Sequence, residues 1–201
     1  MVLRKKKDFD VIISCGRKSV IPSIVLKNYL HTKNNMKVYN IHIQDPKVQI
    51  NNFSFIVVPE HDRLEGENII KSKGAIHYIT DEEIQGAKAL AISKNVLTVI
   101  LGGPNKYYSF SLEELKRLFH KIELLFLNRV EEIKIISSRR TPESIVSFLR
   151  DRYKDNSKVI VDSSLSRKNY IEALAQAKKI IVTSDSISML SEAATTGVPI
   201  Y

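Results

Sequence analysis

Lys179-Ile-Ile-Val-Thr-Ser-Asp-Ser-Ile-Ser-Met-Leu-Ser-Glu-Ala-Ala-Thr-Thr-Gly-Val-Pro-Ile-Tyr201 is a strand, a hydroxyl-rich turn and a helix in immediate succession. Residues 180–182 are a short β-branched apolar run of the kind that lies buried on both faces. The small polar residues that follow, around Asp185, suit an N-cap. Ile187, Leu190, Ala193 and Ala194 then recur at helical spacing, Gly197 can close the helix in a left-handed conformation, and Pro199 leads out toward another strand. A buried strand that turns straight into a helix N-terminus offers free N–H groups and a positive dipole end to a phosphate. Ser186 and Ser188 sit at that turn, and Glu192 lies far enough inside the helix to accept hydrogen bonds from sugar hydroxyls. The same pattern also describes an ordinary strand and helix with no ligand, because helix starts able to hold an anion are common.

Upstream, apolar runs of strand length recur at residues 11–14, 38–43, 53–58, 96–101, 133–136 and 159–161, with a weaker one at 75–79. Most are continuous rather than alternating, which predicts a parallel sheet buried on both sides. Helical patterns lie between them. Leu112, Leu115, Leu118, Phe119, Ile122 and Leu125 form an amphipathic stripe opened by Ser111, Thr80 precedes Asp81-Glu82-Glu83, and Thr141-Pro142-Glu143 starts a further helix with proline at its first position. Strand–helix alternation predicts α/β, doubly wound architecture. The order restarts at the strand over 96–101, so the reading is two Rossmann-like halves, residues 1–93 and 94–201.

The 201 residues, 43% hydrophobic and 26% charged, are those of a globular chain long enough to bury a core, with no apolar run of membrane-spanning length. The basic N-terminus has no apolar stretch behind it, so it is not a secretory signal. A lone Cys15 makes no intrachain disulfide, which suits the cytoplasm; it is expected as a buried thiol at a strand end. A formal charge of +9 favours anionic partners. The basic residues are scattered apart from residues 4–7 and lack interleaved aromatics, so solvated helix faces account for most of the excess and nucleic-acid binding is not the expected role. His31, His42, His61, His77 and His120 show no metal-ligand spacing, and no metal site is expected.

Ligands of such sheets gather at the carboxyl ends of the strands. Those ends carry Gly16-Arg17-Lys18, Gln44-Asp45-Pro46 and Glu60-His61-Asp62 in the first half, and Gly102-Gly103-Pro104, Ser138-Arg139-Arg140 and Thr183 to Ser186 in the second. Gly102-Gly103 either lets backbone approach a ligand or makes a tight turn; its spacing is neither a P-loop nor a dinucleotide fingerprint. Arg139 and Arg140 suit a bidentate clamp on a diphosphate, or else a salt-bridged helix entry. Among Glu60, His61 and Asp62, the histidine is the candidate general base, against the alternative of a solvated loop.

Ser191-Glu192, Ala193-Ala194 and Gly197-Val198-Pro199 resemble the nucleotide-sugar motif of two-domain Rossmann-type (GT-B) glycosyltransferases, whose matching glutamate holds the ribose. Together with the strand-end motifs above, they resemble the elongated-mitochondria family of plant mitochondrial-fission factors and its bacterial homologues. The resemblance runs through nearly the whole chain from Phe9. It implies a GT-B-like protein with a nucleoside diphosphate or nucleotide sugar as ligand, and glycosyl transfer to an acceptor in the full-length form. In that reading Gly102, Gly103, Arg139, Arg140, Ser186 and Ser188 hold the diphosphate, Glu192 holds the ribose, and Arg17 and His61 face the cleft from the other half. The alternative it implies is a non-catalytic adaptor with a protein partner, as the plant member recruits a dynamin-type fission protein, with peripheral membrane contact. Relative to the family, a strand–helix unit is expected before Asp10 and further elements after Tyr201, so both halves are expected to be incomplete. Asp162-Ser163 and Lys168-Asn169-Tyr170 lack the glycine and proline of the family pattern, and the chain alone is not expected to catalyse transfer.

Overall fold

The computed structural model describes residues 10–34 and 37–201, so the basic residues 4–7 lie outside the described residues. The chain forms two compact units, Met1–Ile76 and His77–Tyr201.

The first unit runs β1 (Val11–Cys15), α1 (Val20–Asn34), β2 (Tyr39–Ile43), β3 (Phe55–Pro59) and β4 (Ile69–Ser72). Its sheet is parallel throughout, in the order β1-β2-β3-β4. Because the strands are added in one direction, right-handed crossovers place every connection on the same face. The core records this: Ile56 and Val58 pack with Val20 and Ile24 from the first connection, Ile50 and Phe53 from the second, and Leu64 from the third. His42 lies on this covered face, fully buried, with Nδ1 2.9 Å from the Ser14 hydroxyl and its ring against Phe53. The register Cys15↔Ile43↔Val57↔Ile70 defines the opposite face. Cys15 is therefore exposed rather than buried, since it points away from the helix layer. The fourth strand is Ile69–Ser72 and not residues 75–79: Asn68 Nδ2 donates to the carbonyls of Ile50 and Phe53 and holds that segment against β3, while a two-isoleucine edge strand carries little apolar pattern.

The second unit runs α2 (Asp81–Leu90), β5 (Val96–Leu101), α3 (Leu112–Phe126), β6 (Glu132–Ser137), α4 (Glu143–Tyr153), β7 (Val159–Asp162), α5 (Arg167–Gln176), β8 (Ala177–Val182) and α6 (Ile187–Ala194). The parallel sheet has the order β7-β6-β5-β8. Here the winding reverses at β5, so both faces are covered. Leu97, Val99 and Leu101 pack with Leu115, Phe119, Ile145 and Leu149 of α3 and α4 on one face. Ile100, Ile180 and Val182 pack with Ile84, Ile171, Leu174 and Ala193 of α2, α5 and α6 on the other. Thr80 with Glu83, and Ser111 with Glu114, form complete capping boxes for α2 and α3. Gly197 follows α6 at φ 71°, the left-handed conformation its position suggests. The unit begins at His77, earlier than the 93/94 boundary read from the sequence, because α2 packs on α5 through the Glu83–Arg167 pair and Lys88 donates to the Thr196 carbonyl.

Candidate functional site

The reversal of strand order puts the crevice of the second sheet at the carboxyl ends of β5 and β8. Asp185 fills it. Its side chain is 2% exposed. Oδ1 accepts from the Thr183 hydroxyl at 2.6 Å, and Oδ2 accepts from the Gly103 N–H at 3.1 Å and from Arg140 Nη2 at 2.6 Å. Thr183 in turn accepts from the Gly102 N–H at 2.8 Å, and Arg140 Nη1 donates to the Gly103 carbonyl at 3.0 Å. Thr141 ties in the third loop by donating to the carbonyls of Leu101 and Gly102. A Cβ on Gly102 would stand 2.1 Å from Asp185, and one on Gly103 2.0 Å from the Arg140 carbonyl oxygen. The two glycines are there for these close approaches; the Gly103 N–H and the Arg140 guanidinium are committed to the chain's own carboxylate, and the Gly102 N–H to the Thr183 hydroxyl that binds it.

Arg139, the next residue, behaves differently. It is exposed and makes no hydrogen bond or ion pair among the described residues. It lines a cleft of about 220 Å³ together with Ser138, Asp162, Tyr170, Met189 and Glu192. Within that cleft the Tyr170 hydroxyl donates to Glu192 Oε2 at 2.8 Å. Burial and the Glu192 carboxylate push the Tyr170 phenol well above its ordinary range, so it stays protonated as a donor. Burial works to raise the Asp162 carboxyl, but hydrogen bonds from Ser164 and Asn169 outweigh it and keep it low. Leu165, on the cleft wall, holds φ 55°, a conformation that costs a non-glycine residue roughly 1–3 kcal/mol and gathers at functional sites. Ser186 caps α6 by accepting from the Met189 N–H, and Ser188 is exposed; neither lines the cleft. Tyr78 and Arg167 also line it and are not singled out by the sequence reading. Arg167 is bidentate to Glu83 and lies 4.8 Å from the Tyr78 ring centre. Position just after the Ser166 N-cap was the only local signal for Arg167.

The first unit collects a charged rim of its own. Gly16 turns the chain at φ 79° ahead of the exposed Arg17, while Gln44 at φ 88° and Lys47 at φ 57° follow β2. Asp45 lies 2.5 Å from the Lys47 ammonium. Burial works to raise its carboxyl, but the side-chain and backbone hydrogen bonds of Lys47, with the charges of Lys47 and Arg17, hold it below the usual range. Glu60 and His61 are exposed, with His61 Nε2 3.8 Å from Asp62 Oδ1 and the Asp62 carbonyl accepting from Lys71. Among the described residues, no group of three His, Cys, Asp or Glu side chains is placed to hold a metal ion.

Residues 3–201 match the family model described as Mitochondrial fission ELM1. The chain belongs to that family. An uncharacterized protein of Rickettsia prowazekii (strain Madrid E) is 29% identical over 96% of this chain and 64% of its own length. The Mitochondrial fission protein ELM1 of Arabidopsis thaliana is 24% identical over 95% of this chain and 50% of its own. The chain thus spans between half and two thirds of these relatives. Among solved structures, the UDP-GlcNAc 2-epimerase of Methanocaldococcus jannaschii superposes with a TM-score of 0.57 at 18% identity, covering 95% of this chain and 60% of the epimerase. The same enzyme in complex with UDP-GlcNAc and UDP gives 0.53. At that identity the likeness is one of fold, and the fold is GT-B-like. No helix among the described residues is long and apolar enough to cross a membrane.

Proposed function

We propose that this chain binds a nucleoside diphosphate sugar in the cleft of its second unit, Arg139 taking the diphosphate and Glu192 the ribose hydroxyls. The observation that carries the reading is the contrast between neighbours: Arg140 is paired with Asp185, whereas Arg139 opens on the same cleft as Glu192 with no partner among the described residues. A diphosphate is the anion a planar guanidinium holds best, through two parallel hydrogen bonds. Glu192, already accepting from Tyr170, supplies acceptors for sugar hydroxyls. In this reading Gly102, Gly103, Arg140 and Ser186 hold the loops, and Ser188 contributes only through the α6 N-terminus. The UDP-GlcNAc complex of a protein with the same fold supports a nucleotide sugar as the ligand class. Glycosyl transfer would further need a base for the acceptor hydroxyl, and Glu60, His61 and Asp62 remain the proposed source. Thermal denaturation with UDP, GDP, ADP, TDP and their sugars tests the binding: saturation at a hundred times Kd adds about 2.7 kcal/mol of stability. No shift with any of them would remove the reading.

A second reading, an adaptor that uses the fold as a scaffold for a protein partner, is favoured by the inward commitment of Gly102 to Thr183 and of Gly103 and Arg140 to Asp185. The name of the Arabidopsis relative points the same way. Stability indifferent to every nucleotide is its expected signature.

A further inference from the structure

A cavity of about 240 Å³ opens in the second unit beside the crevice that Asp185 fills, and it shares no lining residue with the cleft of Arg139 and Glu192. Three segments enclose it: the loop after β5, the first turns of α3, and the turn of Thr183, Ser184 and Asp185 after β8. The buried Leu115 and the half-buried Phe110 and Leu118 belong to the core on this face of the sheet, so the apolar wall of the cavity is the edge of that core. Tyr108, 45% exposed, completes it.

One side chain ties two of these segments together. Asn105 Oδ1 accepts from the Tyr107 N–H at 2.7 Å and from the Tyr108 N–H at 3.0 Å, and its Nδ2 donates to the Asp185 carbonyl at 2.9 Å. The Asn105 N–H also donates to the Tyr108 carbonyl at 3.1 Å, closing the loop on itself. Tyr108 is thus held in place by the chain's own bonds, and binding need not order the loop.

The lining selects the occupant. No Lys, Arg or His lines the cavity, so nothing there balances an anion. Its two carboxylates are already engaged: Glu114 accepts from the Ser111 N–H and hydroxyl, and Asp185 from Thr183, Gly103 and Arg140. A cation would have to compete for them, and the occupant that fits is neutral. Tyr108 and Phe110 offer two rings to pair with a third. The hydroxyls of Tyr108 and of the exposed Ser109 and Ser184 make no hydrogen bond among the described residues and can serve a polar substituent. Apolar walls with a few polar groups are the usual make-up of a small-molecule site. Since a cavity of about 150 Å³ holds benzene, the volume here takes one substituted ring.

We infer that this cavity binds a small neutral aromatic alcohol, its ring against Phe110, Leu115 and Leu118 beside Tyr108, and its hydroxyl on Ser109 and Ser184. The site is independent of the nucleotide cleft.

The test is a titration of p-cresol into the isotope-labelled chain, followed by amide NMR. Saturable binding is expected with a Kd of about 1 mM, as suits a ligand this small, and with shifts centred on residues 108–118 and 183–185. The p-toluate anion, which carries a carboxylate in place of the hydroxyl, should bind at least tenfold more weakly. Ser109→Trp, which fills the cavity from an exposed position, should abolish binding without lowering the melting temperature, and Tyr108→Ala should weaken it at least fivefold. Tyr107→Ala, which removes the neighbouring 82% exposed ring that does not line the cavity, should leave it unchanged. Absence of shifts at about ten times the expected Kd, shifts centred on Arg139 and Glu192 instead, or equal affinity for p-toluate overturns the inference. So does N-acetyltyrosinamide binding at least tenfold more tightly than p-cresol, which would make a peptide side chain the occupant.

Discussion

The carboxylate of Asp185 occupies the space a side chain on Gly102 would need, 2.1 Å from where its Cβ would stand. Gly102→Ala must push a buried carboxylate that accepts three hydrogen bonds out of place, and a loss of about 2–4 kcal/mol is expected. Asp185→Ala alone should also destabilise, because it strands the Gly103 N–H and Arg140. The double variant should cost less than the sum by about 1–2 kcal/mol, since the clash is gone. Urea denaturation of the four proteins checks this; strict additivity would mean that the contact is not the reason for the glycine.

Adjacent arginines are expected to fail in different ways. Arg140→Gln removes the cation from an almost fully buried carboxylate; with the Arg140 side chain 40% exposed, solvent softens the effect to about 1–3 kcal/mol of folding stability. Arg139→Gln should change stability by no more than about 0.5 kcal/mol, as surface substitutions do, and act on ligand binding instead. Melting curves with and without pyrophosphate separate the two roles.

Glu192 and Tyr170 act together in the cleft. Replacing Glu192 with Ala should weaken nucleoside diphosphate binding by about 1.5–3 kcal/mol, the value of hydrogen bonds to a charged group. Tyr170→Phe removes the donor that fixes the carboxylate and should cost about 0.5–1.5 kcal/mol. Calorimetry on both variants, with circular dichroism to show that they are folded, is the measurement.

Much of this architecture could be read in the sequence because the physics is local there. Strands β5 to β8 each carry a stretch rich in β-branched and leucine residues, and Thr80 and Ser111 announce their helices through caps that bond within three residues. Strand β4 escaped because an edge strand with only Ile69 and Ile70 has almost no pattern, and the exposure of Cys15 escaped because it depends on which face the crossovers cover. The site was legible as a set of loops and not as a set of partners. Gly102 reads as room for a ligand until Asp185, far along the chain, is seen in that room. For the same reason the division of labour between Arg139 and Arg140, and the Tyr78–Arg167 contact, has no local signature.

His42 gives the first unit a pH-dependent stability. Burial lowers its pKa from the ordinary 6.5 and favours the neutral ring. The unfolded chain therefore binds a proton that the folded one resists: the contribution is complete above about pH 6.5 and is lost as pH falls through the lowered folded value. Urea midpoints measured from pH 7.5 down to 5 should decline, and His42→Gln should flatten the decline. An unchanged slope in that variant would assign the effect to other groups.

Calorimetric titration of UDP and UDP-GlcNAc into the 201-residue chain, beside its Arg139→Gln and Glu192→Ala variants, bears most directly on the nucleotide-sugar reading. Saturable one-site binding by the parent chain, weakened at least tenfold in each folded variant, is the predicted result. Binding that both variants retain at full strength, or no heat with either ligand, would contradict it.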